Sequence, residues 1–331
     1  MMKKILAAAI VSAFAAPAFA ATANVDVYGK LHVSVSGYND QVATAEDLQI
    51  SSNASRIGFK GAEDLGGGLS AIWQLEQTVS LDEKGGNFAT RNSFVGLKGG
   101  FGTVLLGNHD TPLKRVGRKV DLFGDTIADS RNVTGITSDT RASNLVAYLS
   151  PSFGGLNFEA AYSNDLGTAA NTGDRVDNSL WSASATYNNG PLYLGLGYSD
   201  GDAFDAVGID NEYSLAAGFT MGDFKVVGQY VKNENNLADY DAWVLGGAYK
   251  MGNITLKANY MEGEVDGSTL DVNQFTVGAD YSLSKRTTVY ALYADGENVV
   301  FGSGVGSTDR VASGQANGDI SVLSLGMIHT F

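Results

Sequence analysis

The 331-residue sequence predicts an all-β protein, a transmembrane antiparallel β-barrel of about 16 strands. Three observations support this fold class: an export signal at the N-terminus, a period-two alternation of apolar and polar residues, and short connections that alternate with long polar ones. The strand-like segment 320–331 ends in Phe331. An exported chain that ends in an aromatic residue on its last strand is typical of a bacterial outer-membrane barrel. We therefore expect this protein in the outer membrane.

The first 20 residues have the anatomy of a secretory signal peptide. Lys3 and Lys4 form a basic region, residues 5–16 are apolar, and residues 18–20 (AFA) form a small-residue cleavage site. We therefore expect residues 1–20 to be removed on export and residues 21–331 to form one barrel domain. The removed segment holds two lysines and no acidic residue, so the net charge would change from −14 to −16.

Composition narrows the possible functions. A strongly acidic mature chain argues against a nucleic-acid partner. After residue 20 no uninterrupted apolar run reaches the roughly 20 residues that a spanning helix needs, so strands must cross any bilayer. The sequence has no cysteine, which excludes disulfides, a thiolate nucleophile and a cysteine-ligated metal. Abundant Gly (42), Tyr (15) and Phe (15) with only 4 Pro favour long strands and tight turns.

The alternation is clear in segment 156–162 (LNFEAAY), where every second residue from Leu156 onward is apolar while Asn157 and Glu159 take the other face. The same alternation recurs in three further segments: 71–79, 192–198 and 254–260. A soluble β-sandwich also alternates, so this pattern alone leaves both folds open.

The connections favour the barrel. Seven are short and turn-like: 64–68, 99–102, 151–155, 188–191, 221–223, 251–253 and 282–285. Eight are longer and polar: 39–48, 81–88, 109–140, 164–178, 199–210, 233–240, 262–270 and 295–318. Short turns on one rim and long loops on the other are typical of outer-membrane barrels. The count gives about 16 strands, an even number within the range whose interior holds water.

Residues 55–76 (SRIGFKGAEDLGGGLSAIWQLE) resemble the most distinctive hairpin of the neisserial-type family of general porins from beta- and gammaproteobacteria. Further matching segments follow in order: 24–29, 91–102, 106–112, 148–153, 281–287 and 326–331. The resemblance spans the mature chain. Asn108 and Ile328 stand where the family usually has arginine, so the family's selectivity is not carried over.

The resemblance implies a homotrimer of 16-stranded barrels in the outer membrane. Each barrel would fold its third loop inward to narrow a channel through which ions and small hydrophilic solutes diffuse passively, with no cofactor. The implied partners are the barrel-insertion machinery, outer-membrane lipids and lipopolysaccharide. Acidic outer loops would either bridge divalent cations to lipopolysaccharide phosphates or remain solvated loop tips, and both interpretations stay open.

The third loop (residues 109–140) is the longest and most highly charged connection, and it is our candidate for the pore constriction. Eight of its charged residues are assigned to this site: Lys114, Arg115, Arg118, Lys119, Asp121, Asp125, Asp129 and Arg131. Folded inward, they would place basic and acidic groups opposite wall charges, and such a transverse field disfavours apolar solutes. The alternative is a solvated loop outside the barrel.

The candidate wall residues follow from alternation in the first strands, whose apolar residues would face lipid: Val25, Val27, Leu31, Val33, Ile57 and Phe59. Five residues then face the lumen: Tyr28, Lys30, His32, Arg56 and Lys60. A charge on the lipid face would cost about 2–4 kcal/mol near the midplane. Arg91 and Arg141 flank the third loop's anchoring strands and could pair with its acids.

No catalytic or metal site is predicted. The only histidines are His32, His109 and His329, which lie apart without metal-ligand spacing, and no serine sits in a nucleophile elbow. Two alternatives to a general porin remain at this stage. One is a solute-specific channel with a saturable site in the same barrel, and the other is a secreted acidic β-sandwich adhesin.

Two further expectations concern assembly and selectivity. Phe331 is expected to be the assembly signal that the barrel-insertion machinery reads. The basic residues of the early wall and the third loop favour weak anion preference despite the acidic total, because charges beyond about 8–10 Å are largely screened at physiological salt. Three aspartates on the same loop should keep that preference small.

Overall fold

The computed structural model describes most of the mature chain. The described residues are 24–40, 48–82, 91–134, 140–164, 179–201, 209–235, 238–268, 271–301, 311–312 and 319–331. The expected signal peptide, residues 1–20, lies outside this part, as does a stretch of each of the eight long connections. Among the described residues, no helix has both the length and the apolar character required to cross a membrane.

Nineteen strands and two short helices occur in the described residues. The strands are β1 (Asn24–Asp40), β2 (Leu48–Ser52), β3 (Arg56–Gly66), β4 (Leu69–Thr78), β5 (Ser93–Gly99), β6 (Gly102–Asp110), β7 (Arg141–Leu149), β8 (Leu156–Ser163), β9 (Leu180–Asn189), β10 (Leu192–Asp200), β11 (Ile209–Met221), β12 (Phe224–Asn235), β13 (Tyr240–Met251), β14 (Ile254–Val265), β15 (Val272–Ser282), β16 (Thr287–Glu297), β17 (Val300–Phe301), β18 (Val311–Ala312) and β19 (Asp319–Thr330). The helices are α1 (Pro112–Arg118) and α2 (Arg131–Thr134).

The strands close into an antiparallel barrel of 16 strands, as predicted. β2 and β3 both pair with β1 and together form one barrel strand, interrupted at residues 53–55, where Ala54 adopts φ 51°. β19 closes the sheet on β1, with Lys30 opposite Thr330 and Asp40 opposite Ile320. β17 and β18 form a separate two-stranded hairpin.

All seven predicted turns connect neighbouring barrel strands on one rim, which we call the short-turn rim. The turn between β3 and β4 shows why glycine is needed there. Gly66, Gly67 and Gly68 have φ values of 82°, 63° and 79°, a left-handed conformation that residues with a Cβ rarely adopt. Glycine-rich segments therefore mark the strand ends that the sequence predicts.

The two faces of the sheet differ as period-two alternation requires. On β19, Leu323, Leu325 and Met327 face outward with 56%, 55% and 52% of their surface exposed. Between them, Ser324 is fully buried on the inner face and accepts a hydrogen bond from Ser36 of β1 at 2.9 Å. The barrel therefore has an apolar exterior and an interior that is polar along these strands.

The described part of the third loop, residues 109–134, lies inside the barrel, as predicted. Helix α1 packs on the inner face of β8 to β11. Beyond it, Phe123, Ile127 and Val133 form an apolar cluster with inward residues of β13, β14, β16 and β19. The loop thus follows the inner wall and leaves the wall of β3 to β7 facing the remaining lumen.

Glycines on the inner wall provide space for the third loop. The position that a Cβ of Gly197 would occupy lies 3.0 Å from the Cα of Leu113, and that of Gly278 lies 3.0 Å from the ring of Phe123. A side chain at either glycine would displace the loop, so these positions fix how closely it packs.

Candidate functional site in the barrel lumen

Helix α1 begins the site and orients its basic residues. Thr111 caps the helix by accepting a 3.3 Å hydrogen bond from the Lys114 amide, and Pro112 occupies the first turn. Leu113 and Val116 are buried against the wall. Because residues three and four apart share a helix face, Lys114 and the following arginines project away from that apolar side.

Three aspartates and two arginines form a compact ion cluster at the end of α1 and in the residues that follow it. Arg118 donates to Asp125 at 2.5 Å and to Asp129 at 2.9 Å. Arg131 donates from Nε to Asp129 at 2.8 Å, and Asp121 lies 3.6 Å from Arg118. Asp125 has φ 60°, and its amide donates to Asp129 at 2.7 Å, so a left-handed residue fixes the turn inside the cluster.

Burial and neighbouring charges give these aspartates different pKa values. Burial alone would raise the pKa of Asp125 and of Asp129, but the neighbouring arginines, joined at Asp125 by Lys30, hold both pKa values below the usual range. For Asp121, burial and the charge of Asp129 together raise the pKa. Two ionised carboxylates therefore stabilise the cluster, and the third is the one most easily protonated.

Asp125 connects the third loop to the barrel wall. Lys30 of β1 donates to its Oδ2 at 2.9 Å, and Arg56 of β3 lies 3.7 Å from the same oxygen. A second wall acid, Glu76 of β4, pairs with Arg91 at 2.6 Å and with Arg56 at 3.8 Å. The charged loop and the charged wall are therefore one continuous network.

The base of the third loop carries a smaller network. Arg141 of β7 lies 2.9 Å from Asp110 of β6, and Lys114 lies 3.5 Å from the same carboxylate. Of the two arginines expected to pair with acids of this loop, Arg141 therefore contacts one, Asp110, whereas Arg91 contacts Glu76 of the wall.

In the main cluster the acids are more deeply buried than their basic partners. The Arg118 side chain is 27% exposed, whereas Asp121 and Asp129 are 1% and 0% exposed. Arg56 and Arg91 are 25% and 18% exposed against 9% for Glu76. At the base of the loop the order reverses, since Asp110 at 21% exceeds Arg141 at 16%. The lumen therefore meets mainly the cationic side of the central network.

The charge count of these networks is positive. Ten basic residues take part or lie beside them: Lys30, Arg56, Arg91, Lys114, Arg115, Arg118, Lys119, Arg131, Arg141 and Lys257. Seven acids are their partners: Glu76, Asp110, Asp121, Asp125, Asp129, Glu159 and Asp280. With all groups ionised, ten positive and seven negative charges leave +3.

The remaining predicted residues lie around this centre. His32 is fully buried on β1, with its Nε2 2.9 Å from the Tyr290 hydroxyl. Lys60 lies toward the short-turn rim, its Nζ 5.3 Å from the centre of the Tyr28 ring. Arg115 pairs with Glu159 at 2.7 Å. Among the described residues Lys119 makes no ion pair. No described group of three or more His, Asp or Glu residues could hold a metal ion.

Several contributors to the site are absent from the sequence prediction. Glu76 and Glu159 are both wall partners of predicted cations, and alternation could have identified Glu76, since its neighbour Leu75 faces outward. Lys257 donates to the Leu122 carbonyl at 3.0 Å and so holds the third loop from β14. The role of the inner-wall glycines has no local sequence signal, because the loop that they contact is distant along the chain.

Comparison with known proteins agrees with this architecture. The model of the Gram-negative porin family matches residues 7–299. The major outer membrane protein P.IB of Neisseria gonorrhoeae is 31% identical over 329 residues, covering 87% of this chain and 91% of the relative. P.IB of Neisseria meningitidis serogroup A is 34% identical over 315 residues, with the same coverage.

Solved structures agree as well. An anion-selective porin from Comamonas acidovorans superposes with a TM-score of 0.78 and 26% identity, covering 93% of this chain and 100% of that one. Salmonella typhi OmpF shares the fold, with a TM-score of 0.71 and 17% identity over 95% of this chain and 99% of that one. The relatives and the closed barrel favour a membrane channel over a secreted adhesin. The chain belongs to the Gram-negative porin family and is a general diffusion porin of the outer membrane.

Proposed function

We propose that the constriction lies between the third loop and the wall of β3 to β7, and that it passes small anions in modest preference to cations. The observation that carries this proposal is the arrangement of the central ion network. Its acids are buried and its cations are the more exposed partners, so a permeating ion approaches Arg118, Arg56 and Arg91 more closely than Asp129 or Glu76.

The preference should be modest for two reasons. The excess is +3 among 17 interacting or adjacent charges, and each acid cancels much of the field of its basic partner at distances larger than the separation of the pair. Protein charges more than about 8–10 Å from a permeating ion are largely screened at physiological salt, so the acidic outer loops contribute little at the constriction. The Comamonas relative is described as anion-selective, which supports the same sign here.

The roles proposed for the predicted residues differ. Arg118, Arg56 and Arg91 would set the local potential. Arg141 would hold the base of the third loop through Asp110, and Asp125 would hold the loop against Lys30. Asp121, Asp129 and Arg131 would stabilise the loop's shape. Opposed rows of acids and bases across the channel are not needed in this scheme, because each acid contacts a base within the same network.

The reversal potential of the purified porin in a planar bilayer under a KCl gradient tests the proposal. We expect the sign that chloride preference gives, at a magnitude well below the chloride equilibrium value. A potential of the opposite sign would overturn it. The rival solute-specific channel predicts ion currents that saturate strongly as KCl concentration rises, whereas a diffusion pore predicts nearly proportional conductance.

The proposal includes assembly. Residues 1–20 would be cleaved after export, three barrels would associate, and Phe331 would be the signal read by the insertion machinery, in a membrane of lipids and lipopolysaccharide. One solved neighbour, OmpT of Vibrio cholerae, is described in a trimer form. Crosslinking in mild detergent should yield a species of three chains. The intact mass of the purified protein should match a chain that begins at Ala21. A monomeric species alone, or an uncleaved N-terminus, would contradict these two parts respectively.

A further inference from the structure

A cavity of about 280 Å³ lies in the lumen between α1 with the residues after it and the inner wall of β7 to β10. Six of its lining residues matter here: Arg115, Lys119, Glu159, Ser184, Thr186 and Asn188. Asn188 lies near the end of β9, next to the turn that joins β9 to β10, so the cavity lies toward the short-turn rim. None of its lining residues takes part in the Asp125 network.

The charged groups of the cavity leave it positive. Arg115 uses Nη1 to contact Glu159 at 2.7 Å, and 41% of its side chain stays exposed, so the rest of its guanidinium is available to a solute. Lys119 has no ion-pair partner within the described part of the chain. Two cations and one carboxylate give a net charge of +1, which one monoanion would neutralise.

Three of the neutral polar side chains that line the cavity can still bind a solute. Ser184 and Thr186 are two apart on β9 and share its inner face. Within the described residues neither hydroxyl makes a hydrogen bond, and nor does the Asn188 side chain. Ser184 is only 8% exposed, and the cavity that it lines is where its hydroxyl can find a partner. A solute with hydroxyl groups would supply those bonds.

We propose that this cavity is a subsite for a small hydroxy-carboxylate monoanion in transit through the pore. The planar guanidinium of Arg115 and the ammonium of Lys119 would bind the carboxylate, since such charge-assisted hydrogen bonds are the strong ones. Ser184, Thr186 and Asn188 would bind its hydroxyls. The volume lies just under the roughly 300 Å³ at which pockets for drug-sized ligands begin, which suits a small solute.

The subsite rests on the proposed access of anions to the lumen, and the two can fail separately. A cation-preferring reversal potential would contradict the selectivity proposal, whereas the subsite is tested by block of current. Gluconate serves as the probe because it carries one carboxylate and several hydroxyls. Acetate serves as the comparison, since it has the same charge and no hydroxyl.

Chloride current through single porins in a planar bilayer is measured while gluconate is added. We expect the current to fall to a limiting value as gluconate is added, and we expect acetate to block the current more weakly. Lys119→Gln should raise the half-blocking gluconate concentration about tenfold or more, the range for loss of a hydrogen bond to a charged group. Ser184→Ala should weaken block by gluconate and leave block by acetate unchanged. Lys250→Gln, which removes a lysine from the exposed end of β13, is the matched control and should change neither.

Three results would overturn the subsite. One is a gluconate effect that grows in proportion to concentration without saturating. Another is equal change in Lys119→Gln and Lys250→Gln, which would assign the effect to overall charge. The third is a Ser184→Ala porin that keeps wild-type gluconate block. Heat-modifiable gel mobility of each variant shows beforehand that the barrel is folded, so an altered block cannot be attributed to misfolding.

Discussion

Arg91 provides the sharpest test of what sets the channel's selectivity. Its Nε lies 2.6 Å from Glu76, and its side chain is 18% exposed. Arg91→Gln removes one positive charge from the lumen. Glu76 would retain Arg56 at 3.8 Å and the Tyr28 hydroxyl, which donates to it at 3.0 Å. The acid is therefore not left without partners, and the barrel should fold normally.

The expected size follows from Coulomb's law. A unit charge about 5 Å from the ion path contributes about 0.8 kcal/mol in water, and screening over a Debye length of about 10 Å reduces this to about 0.5 kcal/mol. Loss of the charge disfavours an anion and favours a cation by the same amount. The anion-to-cation permeability ratio should therefore fall by about fivefold, since the combined change is about 1 kcal/mol.

Reversal potentials in a KCl gradient measure this ratio. Lys232→Gln is the matched control, because it also removes one charge, from an outer lysine that pairs with Asp239 at 3.0 Å. The double variant Arg91→Gln with Glu76→Gln restores the net charge and should return the ratio toward the wild-type value. The reasoning fails if Arg91→Gln shifts the potential no more than Lys232→Gln does, or if the double variant behaves like the single one.

Three further predictions concern the loop and the closing strand. Gly197→Ala should push α1 from the wall into the lumen and lower single-channel conductance, because the added Cβ would meet helix backbone at 3.0 Å, whereas at Gly228 the nearest atom is 3.6 Å away. Asp129→Asn should destabilise the packed position of the third loop by about 3–5 kcal/mol, the range for breaking a buried ion pair, and should raise the open-channel current noise. Asp121→Asn should have neither effect. Phe331→Ala should reduce the fraction of heat-modifiable barrel recovered in the outer membrane without reducing export.

The controls for these predictions are built into the chain. Gly228→Ala should keep wild-type conductance, and an equal loss in both glycine variants would refute the packing argument. The lowered pKa of Asp129 means that its contribution is present above the usual aspartate range and is lost as pH falls through the folded value. Noise in the wild type should therefore rise only at strongly acidic pH. A Phe331→Ala porin recovered in normal amounts would contradict the assembly role.

Sequence reasoning predicted the barrel because its signals are local. Successive side chains of a strand face the lumen and the lipid in turn. Lys30, Arg56 and Lys60 could therefore be assigned to the inner face from their apolar neighbours. Turn glycines such as Gly67 likewise report a left-handed backbone at their own position. Strand number and turn positions follow directly from such signals.

The burial of the acids could not be predicted in the same way. Asp125 and Lys30 are 95 residues apart in sequence, and nothing near either residue indicates the other. The sequence alone does not show which charged side chains of the third loop are buried and which are exposed. In the structure the side chains of Asp121 and Asp129 are buried, whereas that of Arg118 is partly exposed to the lumen. The sign of the local field depends on this difference in exposure.

The same contacts determine how selectivity can vary without movement of the loop. The apolar side of the third loop packs into the inner wall, with Leu113 against Gly197 and Phe123 against Gly278. On its charged side, Asp125 binds Lys30 of β1. A loop held from two sides by such different interactions has little freedom to gate, because displacing it would break a buried ion pair and an apolar contact together. Permeation should therefore follow the fixed potential of the exposed arginines, and charge substitutions that keep both contacts should change ion preference while leaving the open channel steady.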